Sequence, residues 1–209
     1  MQVGLPKGHL KENIIRILSE SGITFTFKND RDYRPVCNLS WIEAKMFRAG
    51  AIPQLVSLGK VDMGFCGLDL VREKDYENVC VIYDLGLNPV RLMVAVHESQ
   101  KGILDYPPER PLIIATEYES LAARWAFEKG LSHITVQTHG STEAYAPEHA
   151  DIIFDCVETG VTMKANNLVI VDEILDSTTH LVANKFSLRN RYLSEQIEEV
   201  VEKIRRSNH

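Results

Sequence analysis

The chain has 209 residues, 44% of them hydrophobic and 25% charged, which are ordinary values for a globular protein. This length allows a buried core in one large domain or two small ones. The formal net charge of −6 excludes a general basic surface for nucleic acid. A polyanionic ligand would have to be held by local Lys or Arg, backbone N–H groups and a metal ion such as Mg²⁺.

Targeting and redox signals favour a cytoplasmic protein. The four cysteines form no C-x-x-C pair, which suggests free thiols in a reducing compartment. The first residues lack the apolar region of a signal peptide. No apolar run approaches the roughly 20 residues needed to cross a bilayer, so we expect no membrane partner. The histidines show no metal-ligand spacing, and the chain has neither a G-x-S-x-G elbow nor a P-loop.

Strands and helices alternate along the first part of the chain. We predict strands at residues 2–5, 23–27, 42–48, 62–66 and 79–85. We predict helices at residues 9–20, 52–58 and 67–73. Residues 29–38 are polar and predicted to be irregular. The alternation of the two element types indicates an α/β fold with mainly parallel pairing.

The same alternation resumes after the turn residues Gly86 to Pro89. We predict strands at residues 90–96, 112–116, 134–137, 169–174 and 180–183, and a helix at 120–129. Residues 151–166 are predicted to form a strand, a turn and the start of a helix. The amphipathic tail at 187–206 is predicted to be one packing or docking helix.

Two blocks of this alternation predict two lobes. We expect residues 1–88 with 179–209 to form the first lobe, and residues 89–178 to form the second. The chain would then cross twice between the lobes and enclose a hinged cleft.

The run from Asp151 to Asn166 is the strongest candidate site. A short apolar strand carries Asp151 and Asp155 at its two ends, and these acids could hold ribose hydroxyls or a hard cation such as Mg²⁺. The chain turns at Thr159-Gly160, and hydroxyls with free N–H groups at a helix start favour an anion. A capped helix start with incidental acids is the alternative.

Four other segments follow predicted strands, where ligands bind in open α/β sheets. Each also has an ordinary structural interpretation as a turn, a packing glycine or a capped helix start. Lys7 could meet a phosphate, the backbone near Gly67 could approach a nucleotide, Tyr118 could stack on a base, and Glu143 could bind ribose or accept a proton.

In chain order, these segments resemble the short form of the ATP phosphoribosyltransferase family. The resemblance covers nearly the whole chain, and its last segment is the most specific. The matching residues are Leu5-Pro6-Lys7-Gly8, Ile52-Pro53, Gly59-x-Val61-Asp62-x-Gly64-x-x-Gly67-x-Asp69, Ile114-Ala115-Thr116-Glu117-Tyr118, Gly140-Ser141-x-Glu143, Ala146-Pro147, Ala150-Asp151 through Asn166, and Val182-Ala183-Asn184.

The resemblance implies a two-lobed fold like type II periplasmic binding proteins. It implies condensation of ATP with 5-phosphoribosyl 1-pyrophosphate, aided by Mg²⁺, as the first step of histidine biosynthesis. Lys7 and Glu143 would be the catalytic residues. The sugar substrate would contact Asp151, Asp155, Glu158, Thr159, Gly160, Val161, Thr162 and Met163, with Asp151 and Asp155 near the metal. ATP would contact Lys7, His9, Gly67, Asp69 and Tyr118.

Three residues depart from the family pattern. His9 stands where the family usually has Arg, Ala51 where it has an acid, and Glu119 where it has Pro. A histidine does not replace the fixed charge of an arginine. The first two departures leave open a weakened activity, a changed nucleotide or a divergent regulatory paralogue. The alternative from a different class is a hinged two-lobe binding protein without catalysis.

The family also implies protein partners. The short form works as a homodimer within a hetero-octamer, together with a regulatory subunit that resembles histidyl-tRNA synthetase. No nucleic-acid partner is expected.

Overall fold

The computed structural model describes residues 1–29 and 31–207, which form two compact units. The first unit contains the described residues up to Asn88 and those from Thr178 onward, and the second runs from Pro89 to Ser177. The chain leaves the first unit within strand β6 (Val79–His97) and returns to it within β10 (Leu168–Asn184).

The first unit has the strand order β2-β3-β4-β1-β5-β10. Its other strands are β1 (Gln2–Lys7), β2 (Phe25–Thr26), β3 (Val36–Cys37), β4 (Glu43–Arg48) and β5 (Met63–Gly67). Its helices are α1 (Lys11–Glu20), α2 (Ile52–Ser57), α3 (Leu68–Lys74), α6 (Lys185–Arg189) and α7 (Arg191–Ser207). β1 is parallel to β4 and β5, and β10 runs antiparallel to β5.

Apolar faces of helices bury this sheet. Ile14 and Leu18 of α1 join Ile197 and Ile204 of α7 in one buried cluster. α2 packs so closely that a Cβ atom on Gly64 of β5 would lie 2.6 Å from Ile52 Cγ2. Gly64 therefore serves helix–sheet packing within this unit.

The second unit has the strand order β6-β9-β7-β8, with β7 (Leu112–Thr116), β8 (His133–Gln137) and β9 (Ile152–Val157). β7 is parallel to β8 and β9, whereas β6 is antiparallel to β9. Its helices are α4 (Glu119–Glu128) and α5 (Val161–Ala165). Because the carboxyl ends of β7, β8 and β9 share one edge, the segments that follow these strands lie together.

The predicted α/β class is confirmed, but four elements differ from the predicted ones. Residues 29–38 are predicted to be irregular, but Val36 and Cys37 form β3 because they pair with β2 and β4; Asp30 lies outside the described residues. The strands predicted on each side of Gly86 to Pro89 are one strand, β6, in which Gly86 and Asn88 take positive φ angles without ending the pairing. The two late strands are likewise one strand, β10. The tail is two helices because the backbone of Asn190 is extended, and the Asn190 side chain accepts from Leu193 N–H at 3.2 Å.

Candidate functional site

A pocket of about 280 Å³ lies at the carboxyl end of β9 in the second unit. β9 ends at Val157, and Gly160 then has a φ of 73°, a left-handed conformation that glycine adopts without strain. This turn leads the chain directly into α5. The pocket is lined by Glu143, Asp155, Cys156, Val157, Glu158, Thr159, Gly160, Thr162 and Met163.

The turn and the first residues of α5 offer hydrogen-bond donors to the pocket. Thr159 and Thr162 bring hydroxyl groups, and the first N–H groups of a helix have no carbonyl partner within it. Met163 is buried in the core of the unit and fixes α5 against the sheet. The side chain of Val161 is exposed and does not line the pocket, so Val161 can offer only its backbone N–H.

Asp155 is a half-buried acid in the pocket wall. Its pKa is raised to about 6, chiefly by burial and further by the carboxylates of Glu117 and Glu143. The backbone N–H of Cys156, which donates to Oδ1 at 2.8 Å, and the hydroxyl of Thr142 act in the opposite direction. A cation or a hydroxyl donor supplied by a ligand would therefore stabilise the ionised form of this carboxylate.

Asp151 lies at the other end of β9 and does not line the pocket. Its carboxylate accepts from the two terminal guanidinium nitrogens of Arg110, at 2.7 and 2.8 Å, and from Ile113 N–H at 2.9 Å. The Arg110 guanidinium holds the pKa of Asp151 below its ordinary value. The expected role of Asp151 toward ribose or metal does not fit this placement, because both oxygens already join β9 to β7 and its preceding loop.

Tyr118 also differs from its expected role. Its ring is buried, with 8% of the residue exposed, so within this unit it offers little surface for stacking on a base. Its hydroxyl lies 3.2 Å from the Sγ atom of Cys156, a residue of the pocket wall. Tyr118 thus supports the pocket from behind.

In the first unit, Lys7 ends β1 and has its ammonium 4.8 Å from the centre of the Tyr33 ring. Gly8 has a φ of 84°, which turns the chain toward the exposed His9. The register of β1 and β4 sets Lys7 opposite Arg48, so two cations end neighbouring strands. Tyr33 and Arg48 are not among the residues predicted from the sequence, although Arg48 ends a predicted strand and could have been identified by that position.

Gly67 and Asp69 lie at the end of β5 and the start of α3. A Cβ atom on Gly67 would meet the Asp69 side chain, so glycine provides room for this carboxylate. Asp69 is 6% exposed, which places it inside the unit rather than on an open surface. Packing against the Asp69 side chain therefore accounts for the glycine at position 67 without a bound nucleotide.

Two features are absent from residues 1–29 and 31–207. Among these described residues, no group of three or more His, Cys, Asp or Glu side chains is arranged to hold a metal ion by itself. None of the helices in this described part is long and apolar enough to cross a membrane.

Comparisons with known proteins agree with one another. A family model described as HisG, ATP phosphoribosyltransferase, matches residues 48–206. The ATP phosphoribosyltransferase of Pelotomaculum thermopropionicum is 34% identical over 95% of this chain and 69% of its own length. The ATP phosphoribosyl transferase (HisG:HisZ) complex from Thermotoga maritima contains a chain that is 29% identical, with a TM-score of 0.84 and 99% coverage of both chains.

A more distant structure shows the fold alone. A Candida albicans protein with the generic periplasmic binding protein fold is 13% identical, with a TM-score of 0.57 over 99% of this chain and 70% of its own. The predicted fold class, an α/β fold of the periplasmic-binding-protein type, is therefore confirmed.

Proposed function

The chain belongs to the ATP phosphoribosyltransferase family, and on that premise we propose that it condenses ATP with 5-phosphoribosyl 1-pyrophosphate. N1 of adenine attacks the anomeric carbon of the ribose, and the bond from that carbon to pyrophosphate breaks. The adduct loses a proton from the adenine amino group. This would be the first step of histidine biosynthesis, carried out by a pentosyltransferase.

The observation that carries this proposal is the pocket at the carboxyl end of β9. The turn from Glu158 to Met163 presents hydroxyl and N–H donors that suit the three acceptor oxygens of a 5-phosphate. Asp155 and Glu143 share the same pocket and suit the ribose hydroxyls. A phosphorylated sugar requires this combination of hydrogen-bond donors for its phosphate and carboxylates for its hydroxyl groups.

Pyrophosphate departure needs positioning and charge stabilisation more than a strong base. We assign Lys7 to the ATP phosphates or the leaving pyrophosphate, and Arg48 beside it adds a second fixed cation. His9 lies two residues after Lys7, where the family usually has an arginine, and it does not supply the fixed charge of that arginine. Gly67 and Asp69 would shape the part of the first unit that binds ATP, and they would not contact ATP themselves.

Mg²⁺ is the proposed metal, and its binding would depend on the substrate. Mg²⁺ commonly binds one or two carboxylates together with substrate phosphates and waters. Asp155 and Glu143 would supply these two carboxylates. The described residues contain no group of three or more protein ligands, so the substrate phosphates and waters would have to complete the coordination of Mg²⁺. Bound there, Mg²⁺ would neutralise charge on the pyrophosphate.

The partners are proposed by analogy with the Thermotoga maritima complex. That structure contains a second protein, HisZ. We propose that this chain forms a homodimer and binds a regulatory subunit resembling histidyl-tRNA synthetase, in the cytoplasm.

A turnover assay tests the proposal. ATP and 5-phosphoribosyl 1-pyrophosphate are mixed with the protein and Mg²⁺, with and without the candidate partner, and pyrophosphate and the covalent adduct are measured. We expect both products in equal amounts. Ligand binding without any adduct, even with the partner present, would instead identify a binding protein. A large gain in turnover for His9→Arg with Ala51→Asp would indicate a weakened paralogue.

A further inference from the structure

A loop between β2 and β3 in the first unit is closed by the carboxylate of Asp32. One oxygen of this carboxylate accepts from the Lys28 N–H at 3.0 Å, and the other accepts from the Arg34 N–H at 2.9 Å. These two bonds link the ends of the segment at residues 28–34, in which Asp30 lies outside the described residues. The loop therefore holds its remaining side chains in defined places.

The loop sets the ring of Tyr33 beside the end of β1. The Met46 N–H of β4 donates to the Tyr33 carbonyl at 3.0 Å, and β4 is the parallel neighbour of β1. The Lys7 ammonium lies 4.8 Å from the centre of the Tyr33 ring. A cation within about 6 Å of a ring centre is attracted by the negative face of the ring. Tyr33 is thus a partner of Lys7.

An aromatic ring restrains a lysine without neutralising it. A carboxylate partner would cancel the charge of the ammonium, whereas the Tyr33 ring has no net charge. In residues 1–29 and 31–207, no carboxylate forms an ion pair with Lys7. Lys7 is exposed, as is Arg48 opposite it on β4, and Tyr33 is 50% exposed. The full charge of Lys7 therefore remains available to an anion.

We propose that Tyr33 is a positioning residue that holds the Lys7 ammonium at the end of β1 for the phosphates of ATP or the leaving pyrophosphate. The role of Lys7 rests on the proposed function, whereas the contact between Lys7 and Tyr33 rests on geometry. A lysine side chain loses rotamer freedom when it binds an anion, and a contact made beforehand reduces that loss. Tyr33 acts through Lys7 and does not need to touch the substrate.

The first test observes the contact without any ligand. The ε-methylene protons of Lys7 are assigned by NMR with the variant Lys7→Arg. Protons over the face of an aromatic ring resonate at lower frequency, so we expect this shift in the wild-type protein and in Tyr33→Phe. Tyr33→Leu should remove it. An ordinary lysine frequency in the wild-type protein would overturn the proposal.

The second test measures the affinity for inorganic pyrophosphate by calorimetry. We expect Tyr33→Leu to weaken binding about two- to fivefold, the range for a cation–π contact at an exposed site, and Tyr33→Phe to keep the wild-type affinity. Phe27→Leu is the matched control, because the Phe27 ring lies 4.7 Å from the ammonium of Lys11, which has no assigned role. An equal loss in Phe27→Leu and Tyr33→Leu would contradict the specific role of Tyr33.

A double-mutant cycle separates positioning from direct contact. If Tyr33 acts only through Lys7, Tyr33→Leu should have no further effect on pyrophosphate affinity in a Lys7→Met background. The same loss in both backgrounds would show that Tyr33 contacts the anion itself, and would overturn the positioning role.

The two proposals fail in different ways. Wild-type protein that binds pyrophosphate with this pattern of variants but forms no adduct would reject the proposed function and keep the positioning role. Wild-type affinity for pyrophosphate in Tyr33→Leu, or no binding by the wild-type protein, would reject the positioning role whatever the turnover. If Tyr33→Leu does not fold, Asp32→Ala decides, because it opens the loop, keeps the ring and should reduce both the NMR shift and the affinity.

Discussion

The two ends of β9 place the same kind of side chain in opposite environments. At the amino end, Asp151 is 3% exposed and paired with Arg110 and the Ile113 N–H. At the carboxyl end, Asp155 is half-buried in a pocket wall near Glu117 and Glu143. The pKa is lowered at one end and raised to about 6 at the other. Burial alone does not decide the direction of the pKa shift of these two acids, because the charge of their neighbours also differs.

The largest expected effect is on turnover at the carboxyl end. Asp155→Asn removes the charge that would face ribose and Mg²⁺, and we expect kcat/KM to fall about a hundredfold. The same substitution at Asp151 is the matched control and should leave turnover per folded molecule nearly unchanged. Steady-state kinetics on both variants measures this, and an equal loss in the two would remove the distinction between the ends.

At the amino end the effect should be on stability. Asp151→Asn weakens the acceptor shared by Arg110 and the Ile113 N–H, and we expect a loss of about 2 kcal/mol in the free energy of unfolding at pH 7. Because Arg110 lowers the pKa of Asp151, its stabilisation is present above the ordinary value of 3.8 and is lost as the pH falls through the lower folded value. Urea unfolding at pH 7 and pH 3 should show the difference shrink in acid; a constant difference would contradict the ion pair's role.

A smaller effect is expected at the turn beyond Asp155. Thr159→Ala removes one hydroxyl donor proposed to bind the 5-phosphate, which should weaken sugar-substrate binding about tenfold. Calorimetry measures the affinity. Thr178→Ala, in the first unit, is the control. Unchanged affinity in Thr159→Ala would reject this assignment of the turn.

The smallest expected effect is an increase in the free energy of unfolding. The pKa of Asp155 is raised to about 6, so its ionisation costs stability as the pH rises from the ordinary 3.8 through that value. Asp155→Asn should therefore stabilise the protein by about 1 kcal/mol at pH 8 and by little at pH 3, where the wild-type acid is mostly protonated in both states. Thermal unfolding at the two pH values gives the comparison. Lower stability of the variant at pH 8 would show that Asp155 is satisfied inside the folded chain.

Much of the site was predictable because it depends on local sequence. The strand, the Thr159-Gly160 turn and the short helix that begins at Val161 follow from an apolar run, a glycine and hydroxyl residues. Because the carboxyl ends of parallel strands share one edge of a sheet, the segment containing Glu143 lies beside this turn and helix.

What could not be predicted depends on contacts between distant residues. Arg110 is 41 residues before Asp151, and its approach to that acid has no local signal. Tyr118 looked available for a base but is buried against Cys156, 38 residues away. Gly86 and Pro89 are turn residues, yet pairing with neighbouring strands carries β6 through them. In each case tertiary packing overrode the local preference.

The passage of the chain through β6 and β10 has a consequence for synthesis on the ribosome. The second unit is a continuous segment, residues 89–177, whereas the first unit needs strand β10 and helix α7 from the end of the chain. Ile197, Val200 and Ile204 of α7 complete its core. We therefore expect the second unit to fold first during translation. Until α7 has been synthesised, residues 1–88 would expose apolar residues of their sheet, and we expect chaperones to bind this segment.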